Sequence, residues 1–156
     1  EFYLDRGNSL ISRADCQPLN ALHLLVQGEI HLRRSRTREA KSSFEKALSL
    51  ARSTENPHQE AKALAGMGRA ALEQKDNDLA EAHLSQALSI CRALGAKGDA
   101  LALCRSLQHL FLSQGDLHRA QEMASLQNDE AVRQEGNAST ALRPVAAARV
   151  FLAPED

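Results

Sequence analysis

Tryptophan is absent from this chain, and aromatic residues of all kinds make up only 3% of it. That is thin for a β-sandwich core and for a surface that stacks nucleic-acid bases. Charge of one sign is not in excess either: 19 Lys and Arg stand against 20 Asp and Glu. Such a balance gives no global pull toward nucleic acid or an anionic membrane, so neither is an expected partner, and electrostatic targeting must be local. No apolar run approaches the roughly 18 residues of a membrane span, and no signal-peptide pattern opens the chain. Cysteine is scarce and odd in number: Cys16, Cys91 and Cys104 form no Cys-x-x-Cys pair. They read as reduced, buried thiols of a cytoplasmic protein, with a nuclear one as the alternative.

Chemistry-bearing constellations are missing too. The six histidines (His23, His31, His58, His83, His109 and His118) make no His-Glu-x-x-His helix and no Cys-His cluster. The eight glycines are dispersed and form no phosphate-cradling loop. The expectation is a non-enzyme with no cofactor and no metal.

What the chain has is Ala and Leu, both good helix formers, arranged with a period. Ala40, Ala80 and Ala120 recur at 40-residue intervals. Phe44 matches Leu84, Ala47 matches Ala87, and Leu50 matches Ile90. Upstream, Gly28 matches Gly68, and Leu32, Leu72 and Leu112 align. Within each period two apolar stretches have three- and four-residue spacing, which marks helices. Short polar turns separate them: Ser35-Arg36-Thr37, Lys75-Asp76-Asn77 and Gly115-Asp116-Leu117. Gly115 suits a left-handed helix end and Asp116 a cap. Asn56-Pro57 offers a cap followed by Pro at the first helical position, Leu94-Gly95 a stop, and Asp78 with Glu81 a capping box. The predicted helix pairs are 20–34 with 37–53, 58–74 with 78–94, and 98–114 with 117–133. Ala40, Ala80 and Ala120 fall where paired helices cross. Gly28 and Gly68 allow close approach, and Phe44 and Leu84 fill the remaining space.

The order Gly28, Ala40, Phe44, Ala47, repeated as Gly68, Ala80, Leu84, Ala87, resembles the tetratricopeptide repeat. The 40-residue length is similar to the variety in polarity adaptors with Leu-Gly-Asn signatures, in regulatory arms of bacterial signal-transducing ATPases and in kinesin light chains. The resemblance spans about residues 18–130. The third unit departs from it, with Gln108 for Gly, Ala124 for the large residue and Gln127 for the second Ala. It implies an all-α fold, a right-handed superhelical array of antiparallel helix pairs, or tetratricopeptide-like α-solenoid. The repeats would be 18–57, 58–97 and 98–135. Residues 1–17 would hold the second helix of a preceding repeat, making the chain part of a longer array, and 136–156 would be a linker and short apolar tail. The tail, 144–152, is expected to fold onto the array, with a disordered end or a segment that pairs with a neighbouring molecule as the alternative.

The resemblance also implies binding along the inner face, built by the first helix of each pair. In that register the face carries Leu22, Leu25, Glu29 and Arg33, then Lys62, Ala65, Arg69 and Glu73, then Arg105, Ser106, His109 and Ser113. The row suits an extended or helical peptide of a partner protein with an apolar anchor and acidic residues. Residues 21–34 lack Lys and Asn, which argues against a clamp for a terminal carboxylate. Arg33, Arg34, Arg36, Arg38 and Lys41 crowd one turn. They read either as a docking site for acidic groups, nucleic acid included, or as a solvated turn favoured by a helix dipole. Two functions remain: a non-catalytic scaffold gripping a partner segment, or the sensor arm of a larger signal-transducing ATPase or transcription regulator.

The register makes a direct forecast. Ala80→Trp, at a crossing, lowers the melting temperature several times more than Glu81→Ala, where the side chain is expected to face water or cap a helix. Equal melting temperatures would contradict the register.

Overall fold

The computed structural model describes residues 17–128. They form α1 (Gln17–Arg33), α2 (Thr37–Ser53), α3 (Pro57–Glu73), α4 (Asn77–Ala93) and α5 (Lys97–Gln114), and residues 117–128 are helical as well (α6). No strand occurs among the described residues. The helices start within three residues of the sequence expectation at α1 and within one at the others. The expectations for residues 1–16, for the end of the last helix and for 136–156 lie outside the described residues.

All five connections share one geometry. Ser35, Glu55, Lys75, Gly95 and Gly115 have left-handed backbones, with φ of 55°, 50°, 61°, 66° and 79°. They recur every 20 residues, at turns within and between the predicted repeats alike. After each, a backbone N–H reaches back five residues: Arg36 to His31 O, Asn56 to Ala51 O, Asp76 to Ala71 O, Ala96 to Cys91 O and Asp116 to Phe111 O, all at 2.8–3.0 Å. These are Schellman closures, which satisfy carbonyls that a helix end leaves free. Three of the five left-handed residues carry side chains, so the closure holds even where glycine is not supplied.

Caps follow the turns. Asn56 accepts from the Gln59 N–H at 3.1 Å, with Pro57 at the first helical position. Asp116 accepts from the Arg119 N–H at 3.1 Å. The proposed Asp78–Glu81 capping box is not formed. Because α4 begins at Asn77, Asp76 is the cap, accepting from the Leu79 N–H at 3.2 Å. Glu81 instead accepts from Arg119 at 2.6 Å, tying α4 to α6.

The apolar stripes bury against neighbours in sequence order. α1 packs on α2, α2 on α3, α3 on α4 and α4 on α5, and α1 also touches α3. Ala40, Ala80 and Ala120 are buried at the crossings, as are Phe44 and Leu84. A Cβ added at Gly28 would stand 2.6 Å from Phe44 Cε1, and one at Gly68 would stand 2.7 Å from Leu84 Cγ. Gly66 on α3 meets the same Phe44 ring more closely still. The ring therefore lies between glycines of two helices. The third pair solves the crossing differently: Gln127 Nε2 donates to Gln108 Oε1 at 2.7 Å. On the second helix the large residue moves from the Phe44 position, here Ala124, to the Ala47 position, here Gln127, and it meets a Gln rather than a Gly on the first helix.

Ionisable groups at the packed faces are perturbed in keeping with their surroundings. Burial, aided by nearby Lys41, holds His83 below the usual imidazole value. The Arg119 side chain and backbone N–H, both donating to Asp116, hold that carboxyl below the usual range. Arg119 also lies 4.4 Å from the centre of the Phe111 ring.

Gly66→Ala tests the double contact. The ring cannot retreat from Gly66 without driving onto Gly28, so the substitution destabilises by about 1–3 kcal/mol. Adding Phe44→Leu restores much of that loss. Additive losses in the double variant, measured by urea unfolding, would show that the two positions do not share one space.

Candidate functional site

The first helices of the pairs, α1, α3 and α5, line a groove of about 440 Å³. Leu22, Leu25 and Val26 come from α1, Ala61 and Ala65 from α3, and Ala102 and Leu103 from α5. Leu84 and Cys91 contribute from α4. Leu22 is 45% and Val26 48% exposed, which is unusual for large aliphatic side chains lining one concavity. The alanines opposite leave room. The volume falls in the roughly 300–1,000 Å³ range of ligand pockets.

Polar groups stand in this apolar lining at Glu29, Lys62, Arg69, Asp99 and Ser106. Arg69 donates to Glu29 through both terminal guanidinium nitrogens, Nη1 to Oε2 at 3.0 Å and Nη2 to Oε1. These residues hold the same register position on successive repeats, 40 residues apart, so the contact bridges α1 and α3. Lys62 and Arg105 are exposed and make no ion pair among the described residues. Asp99 lies 4.0 Å from His58. Burial pushes the Cys91 thiol up, Asp99 adds to this and Lys62 opposes it. A raised thiol is a poor nucleophile.

Of the residues predicted from sequence, the groove gathers Leu22, Leu25, Glu29, Lys62, Ala65, Arg69 and Ser106. Leu25 is only 6% exposed and belongs mainly to the core. Arg33, Glu73, Arg105, His109 and Ser113 are exposed but do not line it. Glu73 instead accepts a hydrogen bond from Thr37 at 3.3 Å. Val26, Asp99, Ala102 and Leu103 line the groove without having been anticipated. For two of them the register carries a signal: Val26 aligns with Ser106, and Ala102 with Leu22 and Lys62. The Glu29–Arg69 pair was legible too, as opposite charges one period apart.

Among the described residues no group of three His, Cys, Asp or Glu side chains is placed to hold a metal. Cys91 and Cys104 are free and buried, and no described helix is long and apolar enough to cross a membrane.

Comparison with known proteins agrees with this architecture. The TPR domain of Arabidopsis FLU is 23% identical, with a TM-score of 0.68, over 78% of this chain and 99% of that one. BtubC (BKLC) from P. vanneervenii is 18% identical, with a TM-score of 0.66, over 78% of this chain and 48% of that one. At such identities the likeness is one of fold. A search of curated proteins finds no match. The family described as the MalT-like TPR region matches residues 5–156. Repeat domains of this type generally serve protein interaction or regulation and are generally non-catalytic. With its 20-residue turns, its small-residue crossings and a family match over nearly its whole length, this chain belongs to the MalT-like TPR region family.

Proposed function

We propose that the groove between α1, α3 and α5 holds an extended or helical segment of a partner protein, anchored by apolar side chains. The observation that carries this reading is the half-exposed pair Leu22 and Val26, facing small residues across an apolar concavity. Covering that surface removes apolar area from water at about 25 cal/mol per Å². The Glu29–Arg69 pair neutralises one end of the lining, which leaves Lys62 in the groove and Arg105 beside it as the cations for an acidic residue of the partner. Buried free thiols fit a reducing compartment, cytoplasmic or nuclear.

A second reading, favoured by the family match, makes the array a regulatory arm of a larger protein. Occupancy of the same groove would then be the signal that the arm transmits. The two readings share the binding step and differ in its consequence.

Peptides selected from a display library against the chain supply a test. Leu22→Asp is expected to weaken their binding tenfold or more, from about 1.5–3 kcal/mol of lost apolar burial. Ala65→Trp fills the groove and abolishes binding, while Lys62→Glu costs a few-fold for peptides carrying acidic residues. Melting temperatures should change little for Leu22→Asp and Lys62→Glu. Selected peptides that bind Ala65→Trp with unchanged affinity would place the binding surface elsewhere.

A further inference from the structure

The three turns that join α1 to α2, α3 to α4 and α5 to α6 are equivalent in register and backbone, yet opposite in charge. Residues 33–41 hold five cations and one carboxylate. Residues 73–81, one period later, hold one cation and four carboxylates. Residues 113–121 hold one of each, His118 counted as neutral. We propose that the first turn is a second docking surface, separate from the groove, for a short acidic segment of a partner protein.

A helix dipole accounts for only part of the arginine cluster. Arg33 lies in the last turn of α1, where a cation is favoured. Arg38 lies in the first turn of α2, where a cation is disfavoured. At the cap positions one and two periods on, Asp76 and Asp116 accept backbone N–H bonds. At the first turn Arg36 stands in that place and supplies no side-chain cap. The local sequence thus runs against the helix it begins.

Pairing separates the basic turn from the acidic one. In the second turn, Glu73 accepts from Thr37, Asp76 from the Leu79 N–H and Glu81 from Arg119. Three of the four carboxylates there already serve the fold. Arg33, Arg34 and Arg38 are exposed and make no ion pair among the described residues. The acidic turn of a second copy would bring Glu73, Asp76 and Glu81 already bonded, whereas a foreign acidic segment brings unbonded carboxylates side by side. Arginine matches such a partner, because its planar fork grips a carboxylate through two N–H groups.

The surroundings set the length and class of the ligand. Helix layers stand about 10 Å apart, so the acidic second turn lies close enough to repel a long polyanion. The chain also offers no tryptophan and few aromatic rings on which bases could stack. Both points favour a run of a few Asp or Glu side chains over nucleic acid.

The test is fluorescence anisotropy of a labelled hexaglutamate peptide titrated with the full chain at low ionic strength. An unlabelled single-stranded oligonucleotide of equal charge serves as competitor. The peptide should bind and be released as salt screens the contact. The triple variant Arg33→Ser, Arg34→Ser, Arg38→Ser should lose roughly tenfold in affinity, at a modest energy per exposed pair. The double variant Lys62→Ser, Arg105→Ser should bind like the parent, which separates this surface from the groove. The proposal is overturned if the peptide does not bind, if the triple variant binds unchanged, if the groove variant loses more, or if the oligonucleotide displaces the peptide at lower concentration than hexaglutamate itself.

Discussion

The Phe44 ring rests against Gly28 on one side and Gly66 on the other, and so sets two helix separations at once. It belongs to α2, yet it fixes how near α2 lies to its own partner α1 and to α3 of the following pair. Any side chain at either glycine would collide with it, and interiors packed near crystal density leave no slack to absorb the collision. Stacked repeats draw their stability from such nearest-neighbour interfaces rather than from a single central core. At the next repeat Leu84 packs on Gly68, with Ser106 where a second glycine would fall. By the third, the contact has become the Gln108–Gln127 amide pair. The most constrained junction is therefore the one between the first and second pairs.

The groove depends on that junction. Its two best-defined walls, α1 and α3, are the helices that carry the glycines on either side of Phe44. The bidentate Glu29–Arg69 pair spans the same two helices at the surface. Exposed ion pairs contribute little stability, typically about 0–1 kcal/mol. The pair bridges the two helices at the groove wall, where Lys62 also stands. The Schellman closures at 20-residue intervals keep successive helices antiparallel, so that all first helices face one side. Sequence, turn geometry and crossing residues thereby combine to leave Leu22 and Val26 half exposed in a concavity.

Most of the fold was legible because it is periodic. Matched alanines and glycines reported the crossings, and polar turns placed helix ends to within one residue for most helices. Gly66 escaped because its register partners are Val26 and Ser106, so no repeat pattern flags it. Its reason for being glycine is a ring on the neighbouring pair, which only three-dimensional packing reveals. Asp76 and Asp78 both suit a cap in the sequence, and a one-residue shift in the helix start decides for Asp76. The site was only partly readable. Register identified the inner face, but distance along each helix decided which residues line the groove, and Arg33, Glu73, Arg105 and His109 lie outside it. The charge contrast among equivalent turns was visible in the sequence. Its meaning rests on three of the second turn's four carboxylates being already bonded.

Hydrogen–deuterium exchange on Phe44→Ala, read helix by helix, tests most directly whether one ring couples two repeats. The account predicts that removing it, at about 3–5 kcal/mol for a buried aromatic, raises exchange in α1, α2 and α3 together. α5 and residues 117–128 should change far less. Faster exchange confined to α2, or a uniform rise across every helix, would contradict it.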